Sequence, residues 1–244
     1  MEKMFVLQLL AYLIGNFVFQ PPRSVVYRFL HAPIVFAISW IFALSVDFWL
    51  PALLITCVNL LVDLSKNGVE ELISQSSKSH AAKAATFRFV FIIDQLLHIL
   101  FVYFFVYLYI AKTGIIPVLV TQVPANILLI VMAFFICLQP SNVFIQTILS
   151  SYLIAPSNES FPNSRNVENA GRLIGSVERC MALVFTMLGQ FSAIGFIIAA
   201  KTILWYKERD AVRTEYILAG TLLSFGIAIA LGIIIKAGFL LPYL

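Results

Sequence analysis

Long apolar stretches alternate with short polar breaks along this chain of 244 residues. Most of the stretches approach or exceed the roughly 20 residues that a helix needs to cross a bilayer. They occupy residues 3–20, 24–46, 49–65, 88–111, 115–138, 141–154, 172–206 and 216–236. The pattern predicts an all-α bundle of an integral membrane protein, with about seven transmembrane helices (six to eight). It leaves open whether the short stretch 141–154 crosses the membrane or is tilted, re-entrant or interfacial.

Two polar segments punctuate this pattern. Residues 66–87 contain Ser, Ala, Lys and an acidic pair, and residues 156–170 are rich in Ser, Asn and Pro. The first predicts a cytoplasmic loop with a short surface helix, since Lys and Arg near segment ends favour the cytoplasmic side. The second predicts a plain loop. We therefore expect an N-terminal half of four membrane helices, residues 1–114, followed by the C-terminal membrane helices of residues 115–244.

Composition supports a membrane location and excludes several functions. The chain is 61% hydrophobic and 11% charged, whereas a soluble domain is about 25% charged. The net charge of +4 comes from scattered basic residues near segment ends, so no nucleic-acid partner is expected. The expected partners are the lipid bilayer and, as open options, a second copy of the chain or a membrane protein. No Gly-rich phosphate loop, GxSxG or HExxH motif occurs, which leaves nucleotide, serine and zincin-type hydrolysis without support.

The candidate chemistry centres on Asp94 and His98, which lie four residues apart inside the apolar stretch 88–111. On a helix the two side chains share a face. Ionisable groups inside hydrocarbon are costly and by default mark a site. Further polar residues are predicted at the same depth, the cytoplasmic third of the first four helices. They are Tyr12, Asn16, Gln20, His31, Asn59, Asp63 and Gln95.

Carboxylates and imidazoles on facing helices are how helical bundles build metal sites. The candidate ligands are His31, Asp63, Asp94 and His98, a set that would suit zinc, manganese or iron. Asp94, His98 and Asp63 are the candidate catalytic groups, because a metal can activate water beside a spare carboxylate base. The surrounding polar residues would support the ligands: Tyr12, Asn16, Gln20, Asn59 and Gln95. The alternative is a buried hydrogen-bond network that fixes helix register.

A second group of charges lies in the stretch 172–206. Glu178, Arg179 and Arg172 predict a structural ion pair inside the membrane in preference to a catalytic acid, because such groups usually pair. Adjacent residues on a helix point in different directions, so Glu178 is expected to pair with a residue on another helix.

Several runs carry a resemblance to a known family. They are GNFVFQ at 15–20, His31, NLLVDLSK at 59–66, FIIDQLLH at 91–98 and GRLIGSVER at 171–179. With them the chain resembles the bacterial family catalogued as domain of unknown function 3307 over nearly its whole length. The resemblance implies a multi-pass protein of the bacterial cytoplasmic (inner) membrane. The family's His and Asp pattern is similar to that of membrane-bound metal-dependent hydrolases.

This chain departs from that pattern at three positions. Tyr12, Asn16 and Asn59 stand where the family usually has His, Asp and His, and each change removes an ionisable group or a strong metal ligand. The leading hypothesis is a metal-dependent, hydrolase-like protein acting on a lipid-borne or cytoplasmic phosphate or ester. Two alternatives stay open. One is a transporter, channel or membrane effector or sensor subunit that uses the same polar site, and the other is a structural partner subunit.

Overall fold

The computed structural model of the protein describes residues 1–19, 25–77, 79–114, 116–149, 164–205 and 211–240. The described residues are almost entirely helical and contain no strand, which confirms the all-α class. In chain order the helices are α1 (Glu2–Val18), α2 (Val25–Ala43), α3 (Trp49–Gln75), α4 (His80–Thr113), α5 (Val118–Gln122), α6 (Ala125–Cys137), α7 (Gln139–Leu149), α8 (Ser164–Met187), α9 (Phe191–Trp205) and α10 (Ala211–Leu240). A short 3₁₀ turn, Val46–Phe48, precedes α3.

These helices form two compact units, Met1–Met132 and Ala133–Leu244. The boundary between them lies later in the chain than the predicted division at residue 114. In the first unit α1 packs against α2 and α4, α2 against α3, and α3 against α4. A buried polar pair joins α1 to α2: Gln8 Nε2 donates to the Ser39 carbonyl at 2.9 Å, and Ser39 Oγ donates to Gln8 Oε1 at 2.7 Å. Such a reciprocal pair fixes how two apolar helices register against each other.

The connection between α3 and α4 is much shorter than the predicted loop at residues 66–87. Helix α3 runs on to Gln75 and α4 begins at His80, so that prediction is wrong over most of its length. The segment is polar, but its Lys, Glu and Ala residues are good helix formers and no proline interrupts them. Ser79 caps α4 by accepting a hydrogen bond from the Ala82 backbone N–H. The polar residues of this segment therefore belong to α3 and α4, which continue beyond their apolar stretches.

Three helical segments are long and apolar enough to cross a membrane: Val46–Gln75, Ala82–Thr113 and Ile217–Gly238. Helices α6 and α7 would make a fourth span if taken together, although they meet at an angle of 43°. The apolar parts Phe29–Ala43 and Phe191–Ile203 are shorter than the about 20 residues that a span requires. The described parts of the chain therefore hold three to four candidate spans, and the seven-helix topology stays a prediction.

Two further expectations in the C-terminal half need correction. The loop predicted at residues 156–170 is wrong at its end, because α8 already begins at Ser164; residues 156–163 lie outside the described residues. The apolar stretch 172–206 is also broken, into α8 and α9. At the break Gly189 has a φ of +73°, in the left-handed region that glycine adopts without a Cβ penalty. Serine and asparagine suggest a loop in the first case, yet neither residue ends a helix as proline does.

The second unit is organised by the packing of α8 against α10, with α7 and α9 also in contact with this pair. Gly232 of α10 lies directly against Thr186 of α8. A Cβ placed on Gly232 would fall 2.7 Å from the Cβ and Cγ2 of Thr186. A small residue at this position lets the two backbones approach closely, as is common between membrane helices.

We expect Gly232→Ala to lower the free energy of unfolding by about 1–3 kcal/mol, because the added methyl overpacks this contact. Gly226→Ala is the matched control on the same helix, since a Cβ there meets no described atom within 4 Å. The control should be neutral or stabilising by up to about 1 kcal/mol through helix propensity. Thermal unfolding in detergent measures both variants, and equal midpoints would contradict the close contact.

Candidate functional site

The site begins with a hydrogen bond inside α4. His98 is fully buried, and its Nδ1 lies 2.7 Å from the backbone carbonyl oxygen of Asp94, one turn earlier. A carbonyl can only accept, so Nδ1 carries the hydrogen. In the neutral ring this leaves the lone pair on Nε2, which is then the nitrogen available to a metal. Helical spacing thus fixes both the position and the tautomer of the imidazole.

Two carboxylates surround this imidazole. Asp63 of α3 places Oδ1 3.9 Å from His98 Nε2, and Asp94 places Oδ1 3.6 Å from His98 Nδ1. One ligand atom from each of the three residues lies within 4.8 Å of the other two. Within the described chain, the buried atoms His98 Nε2 and Asp94 Oδ1 have no hydrogen-bond partner. The packing of α3 on α4 therefore brings Asp63, Asp94 and His98 together as predicted, with two of their polar atoms unsatisfied.

The cluster has the donor set and spacing of a metal site. Tetrahedral ligands at about 2.0–2.1 Å from an ion lie about 3.4 Å apart, so small side-chain rotations would close the separation of Asp63 and His98. Two carboxylate oxygens with one imidazole nitrogen suit zinc, manganese or iron. Three protein ligands would leave one coordination position open on a tetrahedral ion, as in catalytic zinc sites.

Lys66 completes the cluster, and the sequence analysis does not single it out. Its Nζ lies 2.9 Å from Asp94 Oδ2 and 5.5 Å from the centre of the Phe91 ring. The Lys66 side chain is 23% exposed, whereas that of Asp94 is 4% exposed. Asn59, Asp63 and Lys66 follow each other at steps of four and three residues, so they share one face of α3. That spacing is the signal by which the sequence could have identified the lysine.

The second oxygen of Asp94 has two donors, because Gln95 Nε2 also lies 2.9 Å from Oδ2. Gln95 Oε1 in turn accepts a hydrogen bond from the Tyr12 hydroxyl at 3.2 Å. The Tyr12 ring stacks on the His98 ring, with centroids 5.1 Å apart and planes 29° from parallel. Tyr12 of α1 thus holds both the imidazole and the amide that supports Asp94. Two of the five predicted supporting residues, Tyr12 and Gln95, act directly on the cluster.

The charges of the cluster favour a cation. Two carboxylates face one ammonium group, so with His98 neutral the group carries a net charge of −1. Charges taken out of water are costly unless they are paired. A bound divalent ion would change the net charge to +1 and would also engage the unsatisfied lone pairs.

A small cavity adjoins the cluster at Asp63. Its polar lining comes from Asn16 of α1, His31 of α2, and Thr56 and Asn59 of α3, and it has room for about one water molecule. The structure places His31 in this cavity rather than among the three clustered ligand residues. Gln20, the remaining predicted supporting residue, lies outside the described residues.

The charged residues of the second unit form separate contacts. Glu178 of α8 pairs with Lys201 of α9. Arg179 is buried and donates to neutral acceptors, including the carbonyls of Cys137 and Leu138 where α6 ends. Its other acceptors are the side chains of Asn142, Ser176 and Ser224. Arg179 therefore ties the end of α6 and the start of α7 to α8 and α10. The Arg172 carbonyl accepts from the Ser176 hydroxyl within α8.

Comparison with known proteins gives one match. The family described as "Protein of unknown function (DUF3307)" matches residues 4–126, half of the chain. This range contains every residue of the cluster and of the adjoining cavity. No curated protein and no solved structure matches the chain.

We expect Lys66→Met to lower the free energy of unfolding by about 2–3 kcal/mol, because the buried Asp94 carboxylate would lose its ammonium partner. Lys83→Met is the matched control, since Lys83 Nζ only donates to the Ser74 carbonyl at the surface. The control should change stability by less than about 1 kcal/mol. Thermal unfolding measures both variants, and a loss no larger than that of the control would contradict a stabilising pair.

We expect Arg179→Met to cost about 3–5 kcal/mol, because it leaves buried carbonyl and hydroxyl acceptors without their donor. Arg172→Met makes the same change on an exposed side chain of the same helix and should cost less than about 1 kcal/mol. Yield and thermal stability in detergent distinguish the two. Similar losses in both variants would show that the neutral network around Arg179 contributes little.

Proposed function

The chain belongs to the DUF3307 family of proteins of unknown function. From the geometry of its site we propose that it is a membrane protein that binds one divalent metal ion at Asp63, Asp94 and His98 and hydrolyses a phosphate or carboxylic ester. One observation carries the proposal. The Nε2 atom of His98 is fully buried beside two carboxylates, with its lone pair unused by any described residue.

The energetics of burial support a bound ion. A buried polar atom without a hydrogen bond costs about 1–3 kcal/mol, and His98 Nε2 and Asp94 Oδ1 are two such atoms in one cluster. Coordination of a metal would satisfy both atoms at once. Both atoms are acceptors, and a purely structural network would be expected to supply each of them with a neighbouring donor.

A set of only three protein ligands would leave room for water on a bound ion, and this supports hydrolysis as the proposed chemistry. A divalent metal with such a position supplies a water of lowered pKa at neutral pH. The protein's own groups would orient the reaction. Tyr12 holds the imidazole plane, Gln95 holds Asp94, and Asp63, with a side chain 27% exposed, is the more accessible carboxylate. Asp63 is therefore the carboxylate best placed to face a substrate.

Lys66 supports an anionic substrate. Its ammonium group lies at the edge of the cluster, just after the apolar stretch 49–65 ends. A positive charge at that level suits a phosphate group of a lipid or of a soluble ester. The same position suggests that the substrate enters from the polar side of α3 and α4.

The proposed location is the bilayer of a bacterial cytoplasmic membrane, with about seven helices crossing it. Helices α3 and α4 are long and apolar enough to span, and α1 and α2 pack against them. A short helix packed into such a bundle can reach the interface at both ends by local thinning of the bilayer. This arrangement would place the metal site inside the first four helices, near one membrane surface.

A transporter, channel or sensor subunit is the second candidate. The 43° bend between α6 and α7 favours it, because broken helices line the binding sites of many transporters. Against it, Arg179 already fills that break by binding the carbonyls where α6 ends. A closed, satisfied break is typical of a structural joint, so hydrolysis remains the first proposal.

The test is zinc bound at equilibrium, measured by dialysis against buffered Zn²⁺ and mass spectrometry with the free ion subtracted, on wild type, Asp63→Asn and Asp47→Asn. Wild type and Asp47→Asn, whose side chain is exposed and outside the cluster, should retain about one zinc per chain. Asp63→Asn should bind at least about tenfold more weakly, because it loses one of three ligands. The loaded wild type should hydrolyse p-nitrophenyl phosphate, its diester or p-nitrophenyl acetate.

Two results would overturn parts of the proposal. A wild type that retains no zinc, manganese or iron sinks metal-dependent hydrolysis. A wild type that retains metal but cleaves none of the esters sinks the hydrolase and leaves the second candidate, to be tested by ion and solute flux in liposomes.

A further inference from the structure

The cavity beside Asp63 contains polar atoms that the metal cluster does not explain. His31 Nε2 and both side-chain atoms of Asn59, Oδ1 and Nδ2, are buried and have no partner among the described residues. His31 is 7% exposed and Asn59 is 4% exposed. Three unpaired atoms on two residues that line one small cavity are uncommon, because buried polar groups are nearly always hydrogen-bonded. Their arrangement indicates a ligand that can both donate and accept.

A second metal ion does not fit this cavity well. Its lining groups, Asn16, His31, Thr56 and Asn59, carry no negative charge, and its single carboxylate, Asp63, belongs to the neighbouring cluster. A second divalent ion would raise the net charge of the combined site from +1 to +3 in a mostly apolar surrounding. Buried charge of that size without counter-charges is strongly disfavoured.

A water molecule fits both the size and the chemistry. The cavity has room for about one, and a buried water needs two to four polar partners. The Asn59 amide offers one donor and one acceptor, and the His31 ring offers a third group. Val35 and Leu60 add apolar side chains to the lining of the same cavity.

We propose that His31 and Asn59 form a binding site for one ordered water molecule beside Asp63. The site itself needs no metal. Only the role of the water rests on the function proposed above. A water held here lies next to Asp63, the carboxylate that would face the substrate. It would therefore supply the water molecule that hydrolysis consumes. His31 is then a positioning residue for water rather than a metal ligand.

X-ray hydroxyl-radical labelling of the full-length protein in lipid nanodiscs, without added metal, tests the site. Bound water generates radicals in place, so the apolar residues in contact with it become oxidised although they are buried. We expect Val35 to be oxidised severalfold faster than Val102 and Val106, which are equally apolar and buried away from the cavity. Oxidation of Val35 at the rate of those two valines would overturn the proposal.

The Asn59→Leu variant tests whether the Asn59 amide holds the water. It removes both amide atoms at nearly constant volume, and it should reduce Val35 oxidation to the rate of Val102. Asn67→Leu is the matched control two turns further along α3, outside the cavity lining, and should leave Val35 oxidation unchanged. Val35 oxidation that persists in Asn59→Leu would overturn the role of Asn59. If that variant does not fold, the comparison of valines in the wild type still decides whether water is bound.

This experiment separates the two proposals. A protein that shows Val35 oxidation but retains no zinc has the water site and is not a metal-dependent hydrolase. A protein that retains zinc and shows no Val35 oxidation has the metal site without an ordered water at His31 and Asn59.

Discussion

The hydrogen bond from His98 Nδ1 to the Asp94 carbonyl, 2.7 Å long, is the constraint on which the N-terminal site depends. It consumes one ring nitrogen, directs the other toward Asp63, and does so with backbone geometry that any helix supplies. Tyr12 then holds the ring from α1, and Lys66 balances Asp94 from α3. Side chains of α1 and α3 therefore support an orientation of the His98 imidazole that α4 sets by its own backbone.

The sequence predicted the residues of this site better than it predicted their surroundings. The four-residue spacing of Asp94 and His98 places them on one face of any helix, and Asp63 follows from its depth in the neighbouring apolar stretch. Lys66 was missed because a lysine just beyond an apolar stretch is usually interpreted as a topology signal. Its contact with Asp94 depends on how α3 packs against α4. The periodicity of residues within one helix carries no information about that packing. The stacking of Tyr12 on His98 was hidden for the same reason.

The errors in the fold have a common physical origin. Residues 66–75, 80–87 and 164–170 are polar, and polar segments in a mostly apolar chain favour the prediction of a loop. Polar side chains indicate that a segment contacts water. The end of a helix is instead indicated by proline, by glycine in a left-handed conformation or by a capping side chain. Ser79 at the start of α4 and Gly114 at its end are such signals, and both match observed helix ends. The cap at Ser79 marks the true start of α4, which hydropathy alone places eight residues too late.

The ion pair between Lys66 and Asp94 has a consequence for how tightly the site would hold a metal. The ammonium group keeps Asp94 ionised and paired when no ion is bound, so the helices need no metal in order to pack. An incoming cation must then share that carboxylate with a charge of its own sign, which weakens binding and speeds dissociation. If the site binds a metal as proposed, it would exchange that ion with the surrounding pool. Its occupancy would follow metal supply in the cell, in contrast to a structural zinc that is bound once at folding.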